Sequence, residues 1–208
     1  MDLISTSFAP GERIPERCAF GRPDPADRIA PAGNHSPHVA WQGIPAATRS
    51  IVVTFHDSDA PARPDEANRE GRVIAADAPR VAFDHWVLVD IDPDLEELEE
   101  GAFSSGVTRG GKDGPAAPHG TRTGLNDFTT WFAKDPEMHG RYFGYDGPCP
   151  PWNDEKIHAY HLTAFALDTP RCAVDGIFTR ADVLAAIAPH VLTRSTLTGF
   201  YSLNPDVG

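Results

Sequence analysis

Four separated runs of β-branched and aromatic residues set the tightest limit on what this chain can fold into: SIVVTFHD at 50–57, VAFDHWVLVDI at 81–91, HAYHLTAFALD at 158–168 and STLTGFYSL at 195–203. Runs of this length and composition fit half-buried strands. A shorter run at 37–41 can add another. The connections at 62–80 and 106–127 are polar and crowded with Gly, Pro, Asp and Asn, and the whole chain carries 20 Pro and 18 Gly, which favours turns over helices. Two stretches read as helical. One is DLEELEE at 94–100, a short acidic turn or two expected to serve as a solvated connector. The other is TRADVLAAIAPH at 179–190, where Thr179 and Asp182 have capping-box spacing and Val183, Leu184 and Ile187 share a face. The expected fold class is therefore mainly β, with small peripheral helices. At 208 residues, one domain over 1–208 is the simplest division.

A formal net charge of -12 with no basic stripe opposes binding to nucleic acid or to an anionic membrane surface. The opening residues include Asp2, Glu12 and Glu16 rather than an apolar leader. No segment approaches the roughly 18 apolar residues of a membrane span. A cytoplasmic protein without stable membrane insertion is expected. Cys18, Cys149 and Cys172 have neither disulfide-framework nor zinc-ribbon spacing.

Side chains alternate between the two faces of a strand, so residues of equal parity share a face. Asp57 then falls with Ile51, Val53 and Phe55; His85 with Val81, Phe83, Val87, Val89 and Ile91; His158 with Tyr160, Leu162, Ala164 and Ala166. Each polar residue sits on the apolar side of its strand. Asp57 ends its run, whereas His85 and His158 lie near the starts of theirs. Antiparallel pairing to the first strand would bring all three to one edge of one core, and His56, one step out of phase, would face the other way.

The segments DSDAP at 57–61, DHW at 84–86, GPCPP at 147–151 and HAY at 158–160 resemble, in order and approximate spacing, the signature regions of the phosphatidylethanolamine-binding protein family, also known as Raf kinase inhibitor proteins. NHSPHVAW at 34–41 and PHVL at 189–192 extend the likeness over nearly the whole chain, closest to the compact bacterial branch. The resemblance implies a Greek-key antiparallel β-sandwich with a small anion pocket at one edge. It places the pocket on Asp57, His85, Cys149, Pro151, His158 and Tyr160. Physical argument adds Asp59 and Trp86 to the expected ligand-binding set: Asp59 binds backbone amides and holds the adjoining turn, or contacts the ligand directly, and Trp86, with Tyr160, limits water. It also implies a cis bond at Ala60–Pro61 and a possible homodimer, for which the aromatic stretch at 131–145 would offer surface. Two residues depart from the family pattern: Ser58 stands where Pro is usual, and Ala159 where Arg is usual.

What the resemblance implies for function is a binding protein for a small phosphate- or carboxylate-bearing ligand or a phospholipid head group, with no cofactor, no metal and no catalytic residue assigned. The resemblance also implies modulation of a partner such as a kinase, and a metal-independent hydrolase or other small-molecule enzyme using the same Asp and His pocket is the alternative. In the anion reading His85 and His158 donate and Asp57 orients an imidazole. Three further readings are weaker. Two His and an Asp could hold a metal, but no H-x-D or H-E-x-x-H motif supports it. GVTRGGKD at 106–113 falls one residue short of a phosphate-binding loop, with Asp113 where a hydroxyl is needed. Cys149 or Ser58 could be a nucleophile, but no G-x-S-x-G elbow is present.

Overall fold

The computed structural model describes residues 1–207. Its strands are β1 (Asp2–Ile4), β2 (Gly21–Asp24), β3 (Arg28–Pro31), β4 (Val39–Gln42), β5 (Ser50–Pro61), β6 (Arg80–Ile91), β7 (Glu97–Leu98), β8 (Arg122–Thr123), β9 (His158–Leu167) and β10 (Val191–Tyr201). The helices are α1 (Phe128–Trp131) and α2 (Arg180–Ile187). The main sheet runs β10-β9-β5-β6-β8, a smaller one β1-β4-β7, and β2 pairs with β3. Every pairing is antiparallel. In the main sheet β9 returns to lie beside β5, on the side away from β6 and β8, which is the strand order of a Greek key.

The four strand-rich runs became the four long strands. One face of the main sheet presents Ile51, Val53, Phe55, Leu88 and Leu162 to Val39, Trp41 and Leu98 of the smaller sheet, forming the sandwich core. Burying a side chain of this size stabilises by about 1.5–3 kcal/mol. The opposite face carries Val52, Val87, Val89, Phe165 and Leu167, which pack beneath Val183 and Ile187 of α2. Thr179 caps that helix: its hydroxyl accepts from the Asp182 N–H while the Asp182 carboxylate accepts from the Thr179 N–H.

Four expectations need correction. The acidic stretch at 94–100 supplies strand β7, because Leu98 is buried opposite Val39 and the flanking glutamates can stay in water. Most of the aromatics at 131–145 are not free for association: Tyr142, Phe143 and Tyr145 are buried, and Trp131 is 39% exposed. Tyr142 is taken up by Phe20 and Phe128 in a small cluster of its own, and Tyr145 by the main core. Ala60–Pro61 is trans, the cis bond among the described residues being Gly114–Pro115. Strand β5 continues through this point, with Ala60 opposite Val81 and Pro61 opposite Arg80, and a cis bond would shorten the step between them and break the extended run. Lastly, the register of β5 on β6 slips between Phe55 and His56. A bulge there places two residues of β6 against one of β5, so strict alternation fails beyond His85. Trp86 and Leu88 enter the sandwich core, while Val87 and Val89 pack under α2.

A candidate ligand cavity at the sheet edge

The end of β5, the first half of β6 and the start of β9 meet because both neighbours run antiparallel to β5, with Asp57 opposite Phe83 on one side and Tyr160 on the other. His158 Nδ1 donates to Asp57 Oδ2 at 2.7 Å, and its Nε2 donates to Asp154 Oδ2 at 3.1 Å. Both ring nitrogens are thus committed to carboxylates. Burial alone would depress the pKa of His158, but hydrogen bonds to Asp154 and Asp57, together with their charges, raise it to about 9. At neutral pH it is an imidazolium clamped between two acids.

Arg80 grips Asp154 through Nη1 at 2.5 Å and Nη2 at 2.9 Å. The free oxygen of Asp57 accepts the Asp59 N–H at 2.7 Å, and Asp59 in turn accepts the Ala159 N–H at 2.9 Å and pairs with Lys156 at 3.0 Å. Asp57, Asp59 and Asp154 are therefore balanced by His158, Arg80 and Lys156. Ala159 brings no cation, and Lys156 supplies one to Asp59 instead. Ser58 uses its hydroxyl within the turn, 3.3 Å from Asp59 Oδ2 and 3.1 Å from His161 Nε2.

His85 is differently placed. It is buried, and its Nδ1 donates to the backbone carbonyl of Asp146 at 2.7 Å. Its Nε2 has no protein partner among the described residues. The Asp146 carboxylate anchors the segment that receives His85, accepting from Asn34 and Asn126 at 2.8 Å each and pairing with Lys112 at 2.9 Å. Lys112 belongs to the GVTRGGKD segment, and its ammonium is spent on this buried ion pair. Burial lowers the pKa of His85 more than the Asp57 charge and the Asp146 carbonyl raise it. The ring is neutral with the proton on Nδ1, which leaves the lone pair of Nε2 free.

These residues floor a cavity of about 230 Å³. Asp57, His85, His158 and Tyr160 lie at its base, and Cys149, Pro150 and Pro151 form one side. Most of the remaining lining is aromatic, from Phe20, Phe83, Phe128, Trp131 and Phe132, joined by Ile29, Ala60, Pro61 and Asn68. Phe83 and Phe128 sit with ring centroids 5.0 and 5.5 Å from that of His85. The connection at 62–80 contributes Asn68 to the lining, and α1, just after the second long connection, contributes Phe128 and Trp131. Within GPCPP the Gly147 N–H is given to Asn34, which leaves the N–H of Cys149 without a partner among the described residues.

Of the sequence-derived residues, Asp57, His85, Cys149, Pro151, His158 and Tyr160 line the cavity; Asp59 and Trp86 do not. Asp59 stands behind the floor, bonded to the backbone of β9. Trp86 is turned into the core by the bulge, against Phe103 and Tyr145. Sequence reasoning missed Asp154 and Arg80. Asp154 was detectable in principle, four residues before His158, whereas nothing in the local pattern around Arg80 announces its partner. The aromatic walls from α1 were also missed, since a single turn of helix leaves no periodic signal.

Burial pushes the Cys149 thiol up to about 12, so it is protonated at neutral pH and poorly suited to be a nucleophile. Among the described residues no group of three or more His, Cys, Asp or Glu side chains is arranged to hold a metal ion. No helix among them is long and apolar enough to cross a membrane.

The profile of the family described as phosphatidylethanolamine-binding protein matches residues 4–202. UPF0098 protein YbhB of Escherichia coli (strain K12) is 32% identical over 203 residues, spanning 97% of this chain and 100% of that protein. A UPF0098 protein of Methanothermobacter thermautotrophicus is 29% identical over 97% of this chain and 98% of its own length. Among solved structures, the crystal structure of E. coli YbcL, described as a new member of the mammalian PEBP family, superposes with a TM-score of 0.69 at 25% identity, covering 97% of each chain.

Proposed function

The chain belongs to the phosphatidylethanolamine-binding protein family, and from that premise we propose that it is a binding module for a small amphipathic anion, one with a compact apolar body and a single phosphate or carboxylate head. The observation that carries this reading is the pairing, in one cavity, of aromatic walls with an unengaged side-chain nitrogen, His85 Nε2. Pockets of this kind hold the apolar part of a ligand by burial and orient it by few polar contacts.

His158 does not serve as the donor to the anion in this reading, because Asp57 and Asp154 occupy both its nitrogens. Its role is to hold Asp57 and the start of β9 in place. The head group meets His85, whose Nε2 bonds to an anion once it carries a proton. An entering anion stabilises that proton and raises the depressed pKa, so each ligand bound takes up about one proton. The unpartnered Cys149 N–H supports the same reading as a second donor near the head.

Phenyl phosphate suits the test, since its ring matches the walls and its head matches His85. Titration into the wild type, followed through the imidazole resonances by NMR, should give saturable shifts centred on His85. His85→Ala should weaken binding about tenfold or more, the loss of one charge-assisted hydrogen bond. Phe128→Ala should weaken it through lost aromatic contact. Equal affinity in all three proteins would remove the cavity from consideration.

A further inference from the structure

The outer face of the main sheet is apolar only where α2 covers it. Beyond the helix, towards the cavity end of the strands, the same face turns polar. Thr54 lies opposite Thr163 and His56 opposite His161, while Thr196 and Thr198 continue the rows on β10. Here the strands and α2 enclose a groove of about 300 Å³, whose lining includes His56, His161, Arg180, Arg194 and the three threonines Thr54, Thr163 and Thr196 on adjacent strands.

Several donors in this groove are unspent. Arg194 forms no salt bridge and no side-chain hydrogen bond among the described residues. Arg180 gives Nε to Asp84 at 2.5 Å, which leaves its two terminal nitrogens without partners among them. His56 Nδ1 is buried with no hydrogen-bond partner among the described residues. A buried polar atom left unpaired is destabilising, and an anion oxygen beside His56 would supply the missing partner. The rings of His56 and His161 lie 5.1 Å apart, and His161 is fixed by Thr198 and Ser58.

We propose that this groove is a second anion site, separate from the cavity, which takes a phosphate group between Arg194, Arg180 and His56, with the threonine hydroxyls completing its hydrogen bonds. The two arginines supply charge and planar forks suited to phosphate oxygens. Asp84 neutralises part of Arg180 but not Arg194. Burial first, then the Arg180 and His161 charges, hold the His56 imidazole down to about 4 against the opposing pull of Asp84 and Asp57. His56 is thus a neutral hydrogen-bonding partner at neutral pH, and the attraction for an anion comes from the two arginines. The sheet itself separates this groove from the cavity, because His56 and Asp57 are consecutive and point to opposite faces.

The test is titration of the full chain with inorganic phosphate at constant ionic strength, read from the side-chain resonances of His56 and His161. Saturable shifts at these two, with His85 unmoved, are the expected result. Arg194→Ala should weaken phosphate binding about tenfold without changing the melting temperature, since Arg194 is exposed and unpartnered, and Arg194→Lys should retain part of it. His85→Ala should leave it unchanged, which keeps this outcome distinct from that of the cavity. A parallel titration with glycerol 3-phosphate separates free phosphate from a small phosphomonoester as the source: comparable affinity assigns the site to the ester, and much weaker affinity assigns it to free phosphate. Shifts reproduced by sodium chloride alone, or an affinity that survives Arg194→Ala, would overturn the proposal.

Discussion

His158 and Asp57 stand 101 residues apart in the chain, yet His158 Nδ1 lies 2.7 Å from Asp57 Oδ2 with both side chains buried. The contact joins the start of β9 to the end of β5 at the edge where the cavity opens. A charge pair so enclosed is costly to break from one side, because the surviving partner keeps its desolvation without its counter-charge.

The stability of the protein should therefore fall as the medium becomes alkaline. His158 has a folded pKa of about 9, above the ordinary 6.5 of an unfolded histidine. Its contribution is fully present below about 6.5 and is lost as pH rises through about 9, with an upper bound on the order of 3 kcal/mol. Urea unfolding at several pH values across this window should show the fall in the wild type. In His158→Gln the fall should be absent, on a baseline already lowered by about 3–5 kcal/mol.

The opposite sign holds for His56. Its folded pKa of about 4 lies below the unfolded value, so between about 4 and 6.5 the unfolded chain binds the extra proton and stability rises with pH. His56→Gln should flatten the acid limb of the stability curve relative to the wild type. An unchanged limb would show that the imidazole is not held neutral.

Arg80 should matter more than its place at a strand end suggests. Its two nitrogens on Asp154 complete the charge balance behind His158. Arg80→Ala should destabilise by about 3 kcal/mol or more, and Arg80→Lys should recover only part, since an ammonium cannot repeat the fork. Thermal melts of the three proteins would decide it, and equal midpoints would refute the role.

Phenyl phosphate affinity should increase as pH falls through the imidazole range. The pKa of His85 is depressed in the free protein by burial and is raised by a bound anion, so binding consumes a proton between the two values. Calorimetry in two buffers of different ionisation enthalpy would count that proton. An uptake of zero would mean that the head group does not meet His85 Nε2.

Cys149 should react slowly with iodoacetamide in the native protein, because burial holds its thiol at about 12. Labelling should accelerate sharply in urea and be no slower in His158→Gln than in the wild type. Rapid native labelling that depends on His158 would instead point to an activated nucleophile.

The sequence alone determined the long strands, the capped helix α2 and the shared edge of Asp57, His85 and His158. These are local or periodic properties: β-branched content, capping chemistry and alternation along a strand need no partner to be read. Composition likewise set the sign of the net charge. Tertiary structure decided everything that depends on register and on pairing between distant segments. The slip opposite His56 sent Trp86 into the core although its neighbour His85 reached the cavity, and a bulge is set by how two strands accommodate each other. The pairing of β7 with β4 overrode the helical appearance of the acidic stretch by burying Leu98. Above all, the number of hydrogen bonds already spent on each histidine was invisible in the chain: Asp57 and Asp154 close off His158, whereas His85 keeps Nε2 free. A residue type tells which bonds a side chain can make, and only its folded surroundings tell which remain to be made.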